Sequence, residues 1–402
     1  LTFEAALDAI AAQCAPLDAE EAELQACSGR VLAAPVCAPH DLPPCDDAAM
    51  DGYAVRAADL RAAATASPVL LTLCGTVAAG HLPACTVEHG ACAAIMTGAC
   101  LPPGADAVVK IEETRAAGEK IEFRAAVAPG THVRPRAGEA RAGAVLVPAG
   151  TPVSPAVTGL AAGCGCTALR VHRRPRVACV ITGDEIAPPG ATPARGQKRD
   201  ALGPALCAAL RHDGCDVVCC GYTDDTPANI RARIGDGLAH ADMLLVAGGA
   251  SMGAFDCVQD VLRAAGVREV FWKTAVKPGK PLWFGMRGAT AVFNLPGNPV
   301  SALVTYYLFA RYGLRLLQGH PRSSAGLSSC SARLDEAVCN DEPRVEFIRG
   351  VLYESAGDLH VRPLAARCSS MLSSLANANA LIVCPPSHTL TAGARVRVAI
   401  IP

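Results

Sequence analysis

A multidomain α/β plus β chain is predicted, with a central doubly wound parallel α/β domain, an inserted β-rich module, a linker domain and a C-terminal β-barrel. Three observations carry that prediction. Between Arg176 and Gly319 apolar runs alternate with stretches of helical spacing, the rhythm of a parallel sheet covered by helices on both faces. Between Leu42 and Gly143 the apolar runs are short and broken by Pro and Gly, as in a β-rich module. Beyond a Ser-rich joint at Pro321 to Ser331 the chain returns to strand-like runs.

Taken in order, Thr2 to Gln13 put Phe3, Ala6, Leu7 and Ile10 on one helical face behind Thr2 as N-cap, which reads as an amphipathic docking helix. Proline-rich joints at Ala38 to Pro44 and Val147 to Pro152 bracket a module containing the strands Val69 to Leu73 and Ala107 to Ile111. The module therefore reads as an insertion. The α/β rhythm runs through strands at Val177 to Ile181, Asp216 to Cys220, Met243 to Ala247 and Ala291 to Leu295, with helices around Pro204 to His212, Pro227 to His240 and Pro299 to Leu317. Asn298 stands as N-cap and Pro299 as first helical residue of the last of these. Strands at Glu346 to Leu352, Ala380 to Cys384 and Val396 to Ile401 predict a small barrel or sandwich. The boundaries expected are 1–22 and 173–325 for the α/β domain, 23–43 and 144–172 for the linker domain, 44–143 for the insertion and 326–402 for the barrel.

The 402 residues carry 36 basic and 37 acidic side chains, so no global field favours nucleic acid, and any anion site must be local. No run approaches the ~18 apolar residues of a membrane span, and no signal-peptide pattern opens the chain. A cytoplasmic location without membrane or nucleic-acid partners is expected. The 20 cysteines are scattered without paired C-x-x-C spacing, which predicts reduced, mostly buried thiols rather than a disulfide framework or a zinc site.

The strongest chemical signal is Leu244 to Asp256, an apolar strand running into a glycine-rich turn and then a helix. Gly248, Gly249 and Gly253 let backbone amides approach an anion, with Ser251 and Asp256 beside them. Further loops carry Glu185, the pair Asp224 and Asp225, and Lys277-Pro-Gly-Lys-Pro281, with Lys273 just before. Carboxylates without thiols or paired histidines suit a hard cation such as Mg²⁺, and glycine amides with lysines suit phosphate or another oxyanion. A helix cap or solvated turn is the ordinary role of an acid such as Asp224 or Asp225, and a solvated loop that of the lysines. In the insertion, Asp51 and Thr97 each sit on a turn beside an apolar strand, where an Asx-turn and a buried threonine are the default roles.

Taken together, Met50-Asp-Gly-Tyr-Ala-Val-Arg56, Ile95-Met-Thr-Gly-Ala99, Ile181-Thr-Gly-Asp-Glu185, Gly248-Gly-Ala-Ser-Met-Gly253, Lys277-Pro-Gly-Lys-Pro281 and Leu295-Pro-Gly-Asn-Pro-Val-Ser301 resemble the molybdopterin molybdenumtransferase family, which includes MoeA and the gephyrin E domain. The resemblance implies insertion of molybdate, or tungstate, into adenylyl-molybdopterin with release of AMP and a divalent cation such as Mg²⁺. It implies a homodimer whose active site lies between subunits, and contact with a molybdopterin adenylyltransferase. Asp51, Thr97, Glu185, Asp256, Lys273 and Lys277 would be catalytic. Asp200, Gly248, Gly249, Ser251, Gly253, Lys280, Pro296, Gly297, Asn298 and Ser301 would hold the pterin substrate and its phosphates, and Asp51, Glu185, Asp224, Asp225 and Asp256 would be the metal carboxylates. Two departures stand out: Arg136-Ala-Gly-Glu-Ala140 lacks the family's last acid, and Asp200-Ala-Leu202 replaces Asp-Ser-Asn. A binding protein without catalysis, or an adenylyltransferase, are the rival readings.

Overall fold

The computed structural model describes residues 1–250, 257–365 and 368–402. The chain forms two compact units, one of residues 1–34, 149–158 and 168–402, the other of residues 35–148 and 159–167.

The first unit is built on a six-stranded sheet in the order Asp216–Thr223, Arg176–Thr182, Met243–Ala247, Thr290–Leu295, Trp283–Arg287 and Arg268–Trp272. The first four strands are parallel, and the last two close the sheet as antiparallel neighbours. The two central parallel strands are apolar on both faces because both faces are covered. Val177, Cys179, Ile181 and Leu245 pack with Leu206, Leu210 and Leu303 on one side, while Ala178, Val180, Leu244 and Val246 pack with Ile230, Ile234 and Val261 on the other. That is the predicted doubly wound sheet, with an antiparallel hairpin at one edge that the periodicity did not reveal.

The docking helix is Phe3–Ala11, capped by Thr2, whose hydroxyl accepts from the Ala5 amide at 3.2 Å. Phe3 packs against Phe309 and Phe347 at 5.4 and 5.2 Å between ring centroids. The helix predicted over Pro299 to Leu317 is present but contains a π turn at Tyr306–Ala310. The wider turn brings residues five apart onto one face. Tyr306 and Arg311 accordingly both donate to Asp213, at 2.6 and 2.8 Å.

The C-terminal strands close into a barrel, since Val345–Ser355 pairs with both Asp358–Pro363 and Ala380–Cys384 and the remaining strands complete the circuit. Val276–Lys277 adds to it in parallel beside Val345 and Glu346. The lysine loop therefore does not follow a parallel strand as the other loops do; it runs from the antiparallel hairpin to the barrel sheet.

The second unit carries a mixed sheet in the order Ala107–Lys110, Gly52–Val55, Ala91–Ile95, Val69–Val77, Lys120–Phe123 and Thr114–Ala117. Both faces are buried, with Val55, Leu71 and Phe123 on one and Ala54, Ala93 and Val108 on the other. Cys45 and Cys100 are disulfide-bonded in this unit, an exception to the reduced thiols expected. Their separation of 55 residues explains why spacing gave no hint of the pair. Among the described residues no helix is long and apolar enough to cross a membrane.

Candidate functional site

Four loops leave the parallel strands at the same end of the sheet, where ligands of such sheets bind. They line a cavity of about 660 Å³ whose wall includes Glu185, Asp225, Gly248, Gly249 and the segment Pro296–Pro299. Lys198, Arg199, Asp200, Ala201 and Leu202 close another side.

The glycine turn is held from beneath. Asn294, fully buried, donates its Nδ2 to the Gly248 carbonyl at 3.0 Å. Gly248 has φ +112°, and a Cβ there would come within 2.5 Å of the Thr182 carbonyl and 2.7 Å of its hydroxyl. Only glycine fits both the conformation and the space. The Thr182 hydroxyl is buried and has no hydrogen-bond partner among the described residues. Three of the sequence-predicted residues, Ser251, Gly253 and Asp256, lie outside the described residues.

Asp200 accepts from the Leu202 and Gly203 amides at 2.9 and 2.8 Å through Oδ1, capping the helix Leu202–His212 from the cavity rim. Leu202, which stands where the family has an amide, is buried in the apolar core; the departure makes this part of the wall apolar. Glu185 is tied to the rim through its backbone, whose carbonyl accepts from the Lys198 amide at 2.6 Å.

Of the predicted metal carboxylates, the described Glu185, Asp224 and Asp225 do not form one cluster. Among the described residues no group of three or more His, Cys, Asp or Glu is spaced to hold a metal ion. Glu185 and Asp225 share the cavity, and Asp225 exchanges backbone-to-carboxylate hydrogen bonds with Asp184 at 3.3 and 3.0 Å. Asp224 instead faces a neighbouring depression. Its carboxylate accepts from Asn229 Nδ2 at 2.9 Å and from the Thr226 amide at 3.1 Å, and Asn229 is the main reason its pKa is lowered. These bonds order the turn that enters the helix Pro227–His240. Asp51 belongs to the other unit.

A second cavity of about 270 Å³ is lined by Lys277, Lys280, Ser301, Arg344, Arg349 and Ser369, among others. Lys277 lies 3.5 Å from the buried Glu346 and 3.9 Å from Glu342. The crowded lysines are thus partly neutralised by barrel carboxylates, which the sequence reading of the loop did not foresee. Lys280 is exposed. Lys273 stands apart from this cavity wall, its ammonium 4.1 Å from the Trp272 ring centroid. Asn298 does not cap its helix with its side chain; its Nδ2 donates to Ser369 Oγ at 3.3 Å.

In the second unit Gly52 pairs with Ile95 in antiparallel register, so the residue before one strand meets the residues after the other. Asp51 Oδ1 accepts from the Thr97 amide at 2.7 Å and from the Thr97 hydroxyl at 2.8 Å. The amide first, then the hydroxyl, holds the Asp51 carboxyl below its ordinary range. Gly52 is required because a Cβ would sit 1.9 Å from the Val109 carbonyl oxygen. Met50, Met96 and Ile111 stand exposed around the pair.

Sequence reasoning missed Thr182, Asn294, Lys198 and Arg199. A polar residue interrupting a buried apolar strand was the available signal for Asn294 and Thr182; the two cations offered none.

Comparison with known proteins follows the same architecture. Residues 1–165 match the MoeA N-terminal region (domain I and II), residues 178–315 a probable molybdopterin binding domain, and residues 331–401 the MoeA C-terminal region (domain IV). A molybdopterin molybdenumtransferase of Nostoc sp. is 34% identical over 92% of this chain and 86% of its own length. Molybdopterin molybdenumtransferase 2 of Mycobacterium tuberculosis is 36% identical over 89% of this chain and 88% of its own. The crystal structure of a molybdopterin biosynthesis MoeA protein from Pyrococcus horikoshii OT3 covers the whole of both chains with a TM-score of 0.87 at 26% identity.

Proposed function

The chain belongs to the MoeA family of molybdopterin molybdenumtransferases and is a transferase of molybdenum cofactor biosynthesis, and from that premise we propose that it inserts molybdate or tungstate into adenylyl-molybdopterin with release of AMP. The observation that carries the proposal is the glycine-turn cavity beside a second, cationic cavity. Gly248, Gly249, Gly297 and Asn298 offer backbone and side-chain donors to the pterin substrate's phosphates, Pro296 shapes the same wall without a donor of its own, and Ser251 and Gly253 continue the glycine turn in sequence. Asp200 orders that wall through its helix cap. Lys277 and Lys280, with Arg349 and Ser301, give the oxyanion a cationic seat, and Lys273 adds positive charge nearby in sequence.

A divalent cation fits two carboxylates when phosphates and water complete its shell, as is usual for Mg²⁺. Glu185 and Asp225 are the described candidates and Asp256 the further one; the ion would neutralise phosphate charge there. The proposal includes a homodimer in which Asp51 and Thr97 of one copy serve the cavity of the other. The exposed Met50, Met96 and Ile111 around the pair support a covered face there. Asp51, kept ionised by Thr97, accepts a proton or hydrogen bond at Oδ2, which takes part in neither Thr97 bond. A contact with the adenylyltransferase that supplies the substrate, and a cytoplasmic location, complete the reading.

The test is AMP release from adenylyl-molybdopterin with Mg²⁺ and either molybdate or tungstate. Oxyanion-dependent AMP is the expected result. Tight binding with no AMP release under any oxyanion would make the chain a binding protein and would put the apolar Ala201-Leu202 wall at fault. ATP consumption with bare molybdopterin would make it an adenylyltransferase.

A further inference from the structure

None of the chemistry above uses a cysteine, yet three thiols meet where the α/β sheet supports the cavity wall. Cys179 stands opposite Cys220 in the parallel register of Arg176–Thr182 and the edge strand Asp216–Thr223, so both side chains point to one face. The helix Leu202–His212 covers that face and brings Cys207. The Cys220 Sγ lies 3.8 Å from the Gly203 carbonyl, one helical turn before Cys207, so the register and the helix bring the three cysteines to one place.

The three differ in environment. Cys179 is fully buried and Cys207 is 6% exposed, whereas Cys220 is open to solvent at the sheet edge. Donation from Cys179 and then from Cys207, with Arg211 nearby, favours the Cys220 thiolate, while the Gly203 carbonyl favours its thiol. The hydrogen bond to Cys220, then burial, pushes the Cys179 and Cys207 thiols up. Cys220 is therefore the sulfur that ionises first and the one that reagents reach.

We propose that Cys220 is a modification site for low-molecular-weight disulfides and that Cys207 resolves the adduct, cross-linking the edge strand to the helix that begins at the cavity wall. The Cys220 thiolate attacks the reagent disulfide, forming a mixed disulfide and releasing one reagent thiolate. Cys207, losing its proton, then attacks the Cys220 sulfur, forming the Cys207–Cys220 disulfide and releasing the second reagent thiol. Two protein thiols are oxidised and one reagent disulfide is reduced to two thiols. Cys207 is the resolving thiol because it rides on a helix packed over the sheet, whereas Cys179 is locked within the strand register. The cross-link would act one turn from Gly203 and so on Asp200, Ala201 and Leu202, which line the larger cavity.

The test treats the full chain with oxidised glutathione and maps peptides without reduction. Wild type is expected to yield a Cys207–Cys220 cross-linked peptide. Cys207→Ser should stop at glutathione on Cys220, and Cys220→Ser should leave Cys207 unmodified; melting curves matching wild type would certify both folds. The exposed Cys37, Cys74 and Cys339 serve as internal comparison and should react at least roughly tenfold more slowly; Cys368, whose thiolate Ser370 favours, is left out of that set. Amide exchange at Leu202 and Gly203 should change on cross-linking and return on reduction. Equal reaction at the comparison thiols, a Cys179–Cys220 cross-link in Cys207→Ser, or unchanged exchange at Leu202 and Gly203 would each overturn the proposal. These readouts need no pterin substrate, so they stand or fall apart from the transferase reading.

Discussion

In the α/β domain, Glu185, Asp225, Gly248 and Asn298 come together because parallel strands end on one side of a sheet. In the second unit, Asp51 and Thr97, 46 residues apart, are tied directly by two hydrogen bonds at the ends of neighbouring strands. The first region is a backbone construction and the second a side-chain one. A change of backbone conformation should therefore damage the first most, and a change of a single polar atom the second.

Gly248→Ala applies the harshest test. The strained φ and the overlap with Thr182 together cost on the order of 2–6 kcal/mol, so adenylyl-molybdopterin affinity should fall by at least roughly 30-fold in calorimetric titration. An unchanged affinity would mean that the turn is not the substrate's seat. Asp51→Asn should split the kinetic constants the other way. Turnover should drop about 100-fold, the scale of a lost acid–base group, while the dissociation constant of adenylyl-molybdopterin stays as in wild type. Equal loss in both would erase the distinction between the regions.

Smaller effects sharpen the contrast. Thr182→Val removes a buried hydroxyl that has no partner among the described residues, so the melting temperature should hold or rise. If the substrate or the turn engages that hydroxyl in the complex, affinity should fall about threefold to tenfold, the scale of one hydrogen bond; Thr182→Ser should restore it. The mildest probe is pH. The folded-state pKa of Asp51 is lowered, so its Thr97 bonds favour the ionised form, contribute above the ordinary carboxylate pKa of about 3.9, and are lost only as pH falls through the lower folded value. A pH–rate profile should show no acid limb from Asp51 between pH 5 and 8. Thr97→Val, which keeps the amide but not the hydroxyl, should move that limb upward.

Much of the α/β region was legible because period and burial coincide there: Met243–Ala247 is apolar at every position since both faces are covered, and Thr2 caps its helix as predicted. The antiparallel edge and the π turn were not, because both depend on partners far along the chain, Asp213 in the case of Tyr306 and Arg311. The same holds for Glu346 beside Lys277 and for the Cys45–Cys100 bond. Asp224 shows the limit from the other side. An acid on a turn just before a helix finds its partners Thr226 and Asn229 within five residues, whereas the meeting of Asp51 with Thr97 follows only once Gly52 is known to pair with Ile95.

The most direct test of the claim that the two regions build one site mixes two impaired proteins, Asp51→Ala and Gly248→Ala, allows their subunits to exchange, and measures molybdate-dependent AMP release at substrate well below the dissociation constant of Gly248→Ala. Mixed dimers should hold one site with both regions intact, so the mixture should recover roughly a quarter of wild-type activity by random pairing. A mixture in demonstrated subunit exchange that stays as inactive as either variant alone would contradict the account.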